Sequence, residues 1–257
     1  MTAPAPGALR PLRAAAVLAR KYLADLARNP AMTLSAAIPV LCSLFFRLVW
    51  AEQSGLSPDA LALVATAMLY AVMFEALMAS SMFVMYAMAE EQEKGALGTL
   101  LRCGVTRGQT VAARLASGFA AFAVSCAACC LLLLPDPTVA LPIALISIAS
   151  QLPLILAGAA LGLRARTQMS TMTLSVPLFI VGMLPFLLSG TEAAAPIAPY
   201  LPNGGAFPFV HALVVGGNPL PALLTALITT ALWTAATALL LAWMLRKERR
   251  EEDAFGK

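Results

Sequence analysis

Charge is scarce in this chain. Asp, Glu, Lys and Arg make up 12% of its 257 residues, against about 25% in ordinary soluble domains. With 60% hydrophobic residues and a mean hydropathy of +0.83, too little polar surface remains to face water. A soluble domain would also have to bury every one of the span-length apolar runs in one small core. Histidine occurs once, as His211, and no GxSxG stretch is present, which argues against a membrane-embedded hydrolase. There is no GxxxxGK[ST] phosphate loop either, so a nucleotide held in that way belongs to another polypeptide. Cysteines number five: Cys42, Cys103, Cys126, Cys129 and Cys130. The last three lie in one apolar run without His or carboxylate company, where packing as small hydrophobes fits better than metal binding. A disulfide framework is not expected. Met1–Arg28 carries arginines throughout and has no apolar core, so it does not read as a cleavable signal peptide.

What dominates instead is apolar length. Six spans are expected: Met32–Trp50, Ala60–Met88, Val111–Leu134, Val139–Leu163, Thr171–Leu188 and Ala222–Leu245. Prolines mark their edges at Pro30, Pro58, Pro135, Pro137, Pro219 and Pro221, and Pro142, Pro153, Pro177 and Pro185 fall inside. Every Lys and Arg except Arg47 lies in the N-terminal segment, the second and fourth connections, or the C-terminal tail. The opposite connections hold only Glu52, Asp59, Asp136 and Glu192, and Arg47 is placed to snorkel outward from the end of its span. By the positive-inside rule both termini are cytoplasmic. An odd number of spans would scatter these charges to both sides.

Before the first span, "LRPLRAAAVLARKYLADLARNP" places Arg13, Arg20, Lys21, Asp25 and Arg28 on one helical face. Leu12, Ala16, Ala19, Leu23 and Leu26 take the other, as in a helix lying in the headgroup layer. The alternative is a basic leader that merely sets topology.

The densest knot of charge is "EEQEKGALGTLLRCGVTRGQT", Glu90–Thr110. A helix from Ala60 to Met88 would be roughly 43 Å long, more than the hydrocarbon core, and so projects into the cytoplasm. Gly95 lets the chain turn, and Leu97, Leu100 and Leu101 form a short stripe at i, i+3 and i+4. Gly104 reads as a stop, and Thr106 with Gln109 has capping-box spacing for the next span. Carboxylates ahead of that short helix suit the positive end of its dipole. Spacing alone leaves two readings open: a helix gripped by a soluble partner, or a loop whose leucines dip back into lipid.

Residue by residue, this stretch resembles the signature of the type-2 permeases of ATP-binding-cassette exporters. Glu90, Glu91, Glu93, Lys94, Gly95, Leu97, Leu100, Leu101 and Arg107 match it. Gln92 stands for a basic residue, Ala96 for Thr and Gly104 for Pro. The basic N-terminal helix ending "LARNP", the six spans and the long last outer connection are similar to the family as well. The resemblance implies an all-α membrane protein of the type V exporter fold in a bacterial cytoplasmic membrane. It implies residues 1–31 as an interfacial helix, 32–245 as the six-helix domain and 246–257 as a cytoplasmic tail. A coupling helix at about 91–104 would contact the ATPase through Glu90, Glu91, Glu93, Lys94, Gly95, Leu97, Leu100, Leu101, Arg102 and Gly104. Two copies of a separate nucleotide-binding subunit would hold ATP and Mg, beside a second permease protomer. The chain itself would be non-catalytic, with no cofactor and no nucleic-acid partner.

Three further residues stand out. Glu75 falls mid-span, where a charged carboxyl facing lipid costs at least a few kcal/mol. It reads either as a pathway-lining group or as a protonated carboxyl bonded to a neighbouring helix. Gln151, beside Pro153, reads as interhelical packing. His211 lies in the connection 189–221, whose apolar half is too short to span and is expected to re-enter the outer leaflet; a packed surface residue suits it better than a sensor. The competing function is an ion-coupled secondary transporter with Glu75 as its proton site.

Overall fold

A computed structural model of the chain describes residues 9–51, 77, 79–134, 136–189, 191–215 and 217–255. Every regular element among them is helical. In chain order these are α1 (Leu9–Arg28), α2 (Pro30–Ala51), a π-helical segment (Ala79–Tyr86) and α3 (Ala87–Glu93). After them come α4 (Ala96–Arg102), α5 (Arg107–Leu133), α6 (Pro137–Ser150), α7 (Leu152–Gly162) and α8 (Gln168–Ser189). A 3₁₀ turn (Ala198–Tyr200), α9 (Ala206–Val215) and α10 (Leu220–Phe255) complete the order.

Five stretches are long and apolar enough to cross a bilayer: Pro30–Leu48, Arg107–Leu133, Pro137–Gly162, Gln168–Ser189 and Leu220–Arg250. They match the first, third, fourth, fifth and sixth expected spans. Most of the second, Ala60–Met88, lies outside the described residues, and so does Glu75. The Pro137–Gly162 window is 56% buried and the Leu220–Arg250 window 11%, which puts the fourth span at the centre and the last on the rim. Phe45, Val124, Leu145, Ile180 and Leu232 are among the large apolar side chains left exposed, a surface suited to lipid.

The fourth span is not one helix. Pro153 has no N–H to give the carbonyl of Ala149, and the backbone N–H of Gln151 turns to that carbonyl instead. Gln151 therefore ends α6 and begins α7. Its side chain is buried, and neither its Oε1 nor the Oγ of Ser147, one turn earlier, has a hydrogen-bond partner.

The π-helical segment forms the inner seam with α7 and α5. A Cβ on Gly162 would lie 3.1 Å from the Cα of Met85, and one on Gly118 would lie 2.6 Å from Cγ2 of Val84. Small residues here allow backbones to meet closely, as membrane helices often do.

At the N-terminus the inward face keeps Ala19 and Leu26 from the expected one and differs in the rest. Leu18, Tyr22 and Leu26 are buried, whereas Ala16 is exposed and Leu23 is 39% exposed. Periodicity alone cannot separate apolar residues that face lipid from those that face protein, and Tyr22 is polar only at its tip.

The connection 189–221 folds back onto the bundle. Pro202–Phe207 is buried, and α9 packs against α6 and α10, so its Phe207, Phe209 and Val210 lie against protein. Non-helical backbone at such depth needs internal partners. Asn203 Nδ2 donates to the Gly182 carbonyl at 3.0 Å, and Trp233 Nε1 to that of Tyr200 at 2.9 Å. His211 sits exposed on α9.

Candidate docking site at the charged end

The charged knot lies where α3, α4 and the start of α5 meet. The left-handed turns that end α3 and α4 require residues without a Cβ, and Gly95 (φ 68°) and Gly104 (φ 82°) supply them. Thr106 and Gln109 close the expected capping box: Thr106 Oγ1 accepts from the Gln109 N–H at 3.3 Å, and Gln109 Oε1 from the Thr106 N–H at 2.8 Å. The short helix α4 is thereby held between two fixed corners.

The side chains of α3 bind the ends of neighbouring helices with matching polarity. Glu93 Oε2 accepts from the Gln168 N–H at 2.8 Å, placing a carboxylate at the N-terminus of α8. Gln92 Nε2 donates to the Gly162 carbonyl at 3.2 Å, at the C-terminus of α7. Tyr86 Oη donates to Gln168 Oε1 at 2.5 Å. Arg107, the first residue of α5, is ion-paired with Glu248 of α10.

Glu91 was expected among the groups facing a partner, but it points the other way. It is 8% exposed and accepts from Arg114 Nη2 at 2.7 Å. The Arg114 guanidinium lies 3.6 Å from the centroid of the Tyr22 ring, a cation–π stack that is worth most when both groups are dry. Burial, and after it the nearby Glu91 carboxylate, pushes the Tyr22 phenol well above its usual range. Its hydroxyl lies beside the Glu91 carboxylate. Tyr22, Arg114 and Glu91 thus bolt α1, α5 and α3 together. Neither Tyr22 nor the buried role of Arg114 is visible in local spacing, and a tyrosine in a basic helix was the only hint.

The leucines of α4 are half-buried. Leu100 packs on the cluster of Leu18, Tyr22 and Ala113, and Leu101 lines a cleft of about 560 Å³ with Arg246 and Arg249 of α10. Leu100 thus ties α4 to its own bundle, while Leu101 faces the cleft. The face left to solvent carries Ala96, Gly98, Thr99, Arg102 and Cys103, flanked by Glu93, Lys94, Gly95 and Gly104. Glu90 is taken up by Lys94 at 2.5 Å, which also raises the Lys94 ammonium above its ordinary range. A Cβ on Gly98 would meet nothing within 4 Å, so this face is open there. Among the described residues no three of His, Cys, Asp and Glu converge on a point. Cys126, Cys129 and Cys130 are buried, Cys126 and Cys130 in the main apolar core.

Neither a protein-family model nor a curated protein sequence matches the chain.

Proposed function

We propose that the chain is the membrane permease of an ATP-driven exporter, with α4 as the element that a separate ATPase subunit grips. In this reading six spans cross a bacterial cytoplasmic membrane, the charged end faces the cytoplasm, and two permease protomers form the route. ATP and Mg are bound and spent in the partner. The supporting observation is α4 itself: a two-turn helix braced by two left-handed glycine corners and a capping box, with a solvent-facing side around Gly98. A carrier driven by ions has no use for such a platform. The resemblance of Glu90–Arg107 to the permease signature supports the same reading.

The inward packing of Leu100 decides which variant is informative. Leu100→Asp would loosen α1 and α5 as well as any partner contact. Gly98→Arg adds bulk only to the open face. Co-expressed with the ATPase subunit that this reading requires, the native chain should retain that subunit through purification and stimulate its hydrolysis. Gly98→Arg should reach the membrane and lose both. If Gly98→Arg keeps the subunit, or no ATPase associates with the native chain, α4 is only a loop and the ion-coupled carrier built on Glu75 becomes the better reading.

A further inference from the structure

Two hollows on the α1–α2–α5 side of the bundle meet end to end. The first, of about 450 Å³, sits at the elbow between α1 and α2, and its charged lining residues are Lys21, Asp25, Arg28, Glu90, Glu91, Lys94 and Arg114. Each acid has a base: Asp25 with Lys21 at 3.9 Å, Glu90 with Lys94, and Glu91 with Arg114. Arg28 is exposed and is left without such a partner among the described residues. Arg114 is only 6% exposed, and its Nε has no acceptor. The C-terminus of α1 and the N-terminus of the 22-residue α2 meet at this hollow, where Asn29 Oδ1 accepts from the Ala31 N–H at 3.1 Å, so their dipole ends offset and the side chains set its charge. The hollow therefore has a surplus of one positive charge.

The second hollow is a groove of about 650 Å³ between α2 and α5, floored by Ala36, Ala37, Ala120 and Ala121 and edged by Leu41 and Val124. Alanines leave the space, and Leu41 and Val124 are exposed along its open side. Leu26 and Met32 line both hollows, so the apolar groove begins where the charged hollow ends. From Met32 to Leu41 helix α2 rises about 14 Å, close to half of the roughly 30 Å hydrocarbon core. That is the depth of one leaflet.

We infer that the two hollows form one site for a single phospholipid carrying one net negative charge. Its phosphate sits by Arg28 and the start of α2, and an acyl chain lies in the alanine-floored groove. A groove with charge at one end and hydrocarbon depth along the rest matches an amphiphile. The inference rests on the apolar helices crossing a bilayer and stands whether or not an ATPase docks on α4.

Native mass spectrometry of the full chain in neutral detergent tests it. The probes are palmitoyl-oleoyl-phosphatidylglycerol, the matching phosphatidylcholine, and inorganic phosphate. The phosphatidylglycerol should bind as one tightly held molecule per chain, more tightly than the phosphatidylcholine, and phosphate alone should not bind. Arg28→Gln should weaken the anionic lipid about fivefold, the effect of one basic residue near a membrane surface, and remove the preference. Ala37→Phe should weaken both lipids by filling the groove, and Ala121→Phe on the opposite wall repeats the block if Ala37→Phe does not fold. Unchanged lipid binding in Arg28→Gln and in the groove variants overturns the site. So does phosphate binding as tightly as the lipid, which marks a free-anion pocket. So does a groove variant that splits a dimer while lipid binding persists, which marks an interface between copies of the chain.

Discussion

Arg114 is a cation held in a nearly dry place by two neighbours of different kinds. One edge of its guanidinium meets the Glu91 carboxylate and one face covers the Tyr22 ring. Removing one member of such a buried pair strands the other, at a typical cost of about 3–5 kcal/mol. Exposed pairs such as Lys94–Glu90 are worth about 1 kcal/mol or less. Glu91→Leu should therefore lower the thermal midpoint of the purified protein far more than Glu90→Ala. Combining Glu91→Leu with Arg114→Met should recover most of the loss, because no lone charge remains. Tyr22 adds a signature in pH. Its folded-state pKa is raised, so the stability it contributes is complete below the unfolded tyrosine value of about 10 and is lost as pH climbs above it. Tyr22→Phe keeps the stacked ring and removes the titration. The fall in thermal midpoint above pH 10 should be shallower in that variant than in the native chain, and equal slopes would refute the assignment.

At the level of elements, legibility follows the range of the forces. The corners at Gly95 and Gly104 and the Thr106–Gln109 box are readable because each involves residues within one turn. Thr106→Ala should thus cost about 1 kcal/mol, seen as a lower thermal midpoint and faster proteolysis between Cys103 and Thr106. What α4 presents outward was not readable. Its leucines could face a partner, lipid or their own bundle with the same i, i+3, i+4 spacing, and for Leu100 it is Tyr22 and Ala113, from distant parts of the chain, that supply the packing. The Glu91–Arg114 bond spans 23 residues and a helix boundary. The break at Gln151 was half legible: Pro153 announces a lost hydrogen bond, but in a membrane helix that loss is often absorbed without a break.

For the whole molecule, the segregation of Lys and Arg sets the expected orientation. The exception, Arg47, donates to the Leu132 carbonyl at 3.2 Å and so places its charge at the C-terminal end of α5, where a helix dipole favours it. Cys103 is a native reporter of the charged end, being exposed beside α4. In a chain with Cys42 changed to Ala, a membrane-impermeant maleimide should reach Cys103 only after cells are permeabilised. Cysteines introduced at Asp136 and Glu192 should react in intact cells. Labelling of Cys103 in intact cells would reverse the orientation or change the parity of the spans.

The interrupted fourth span has a mechanical consequence. Below the interruption α7 packs mainly on the π-helical segment and α10, and above it α6 packs mainly on α5 and α9, with α5 and α10 touching both halves. The two halves share one peptide joint at Gln151, where a backbone hydrogen bond is already missing and two side-chain acceptors stand idle. A straight rod would carry any tilt from one face of the membrane to the other undiminished. A jointed strut does not. At such a joint the two halves can differ in tilt with one helical hydrogen bond fewer to break. The fourth span is thus two short helices that meet at one residue, each seated among its own neighbours.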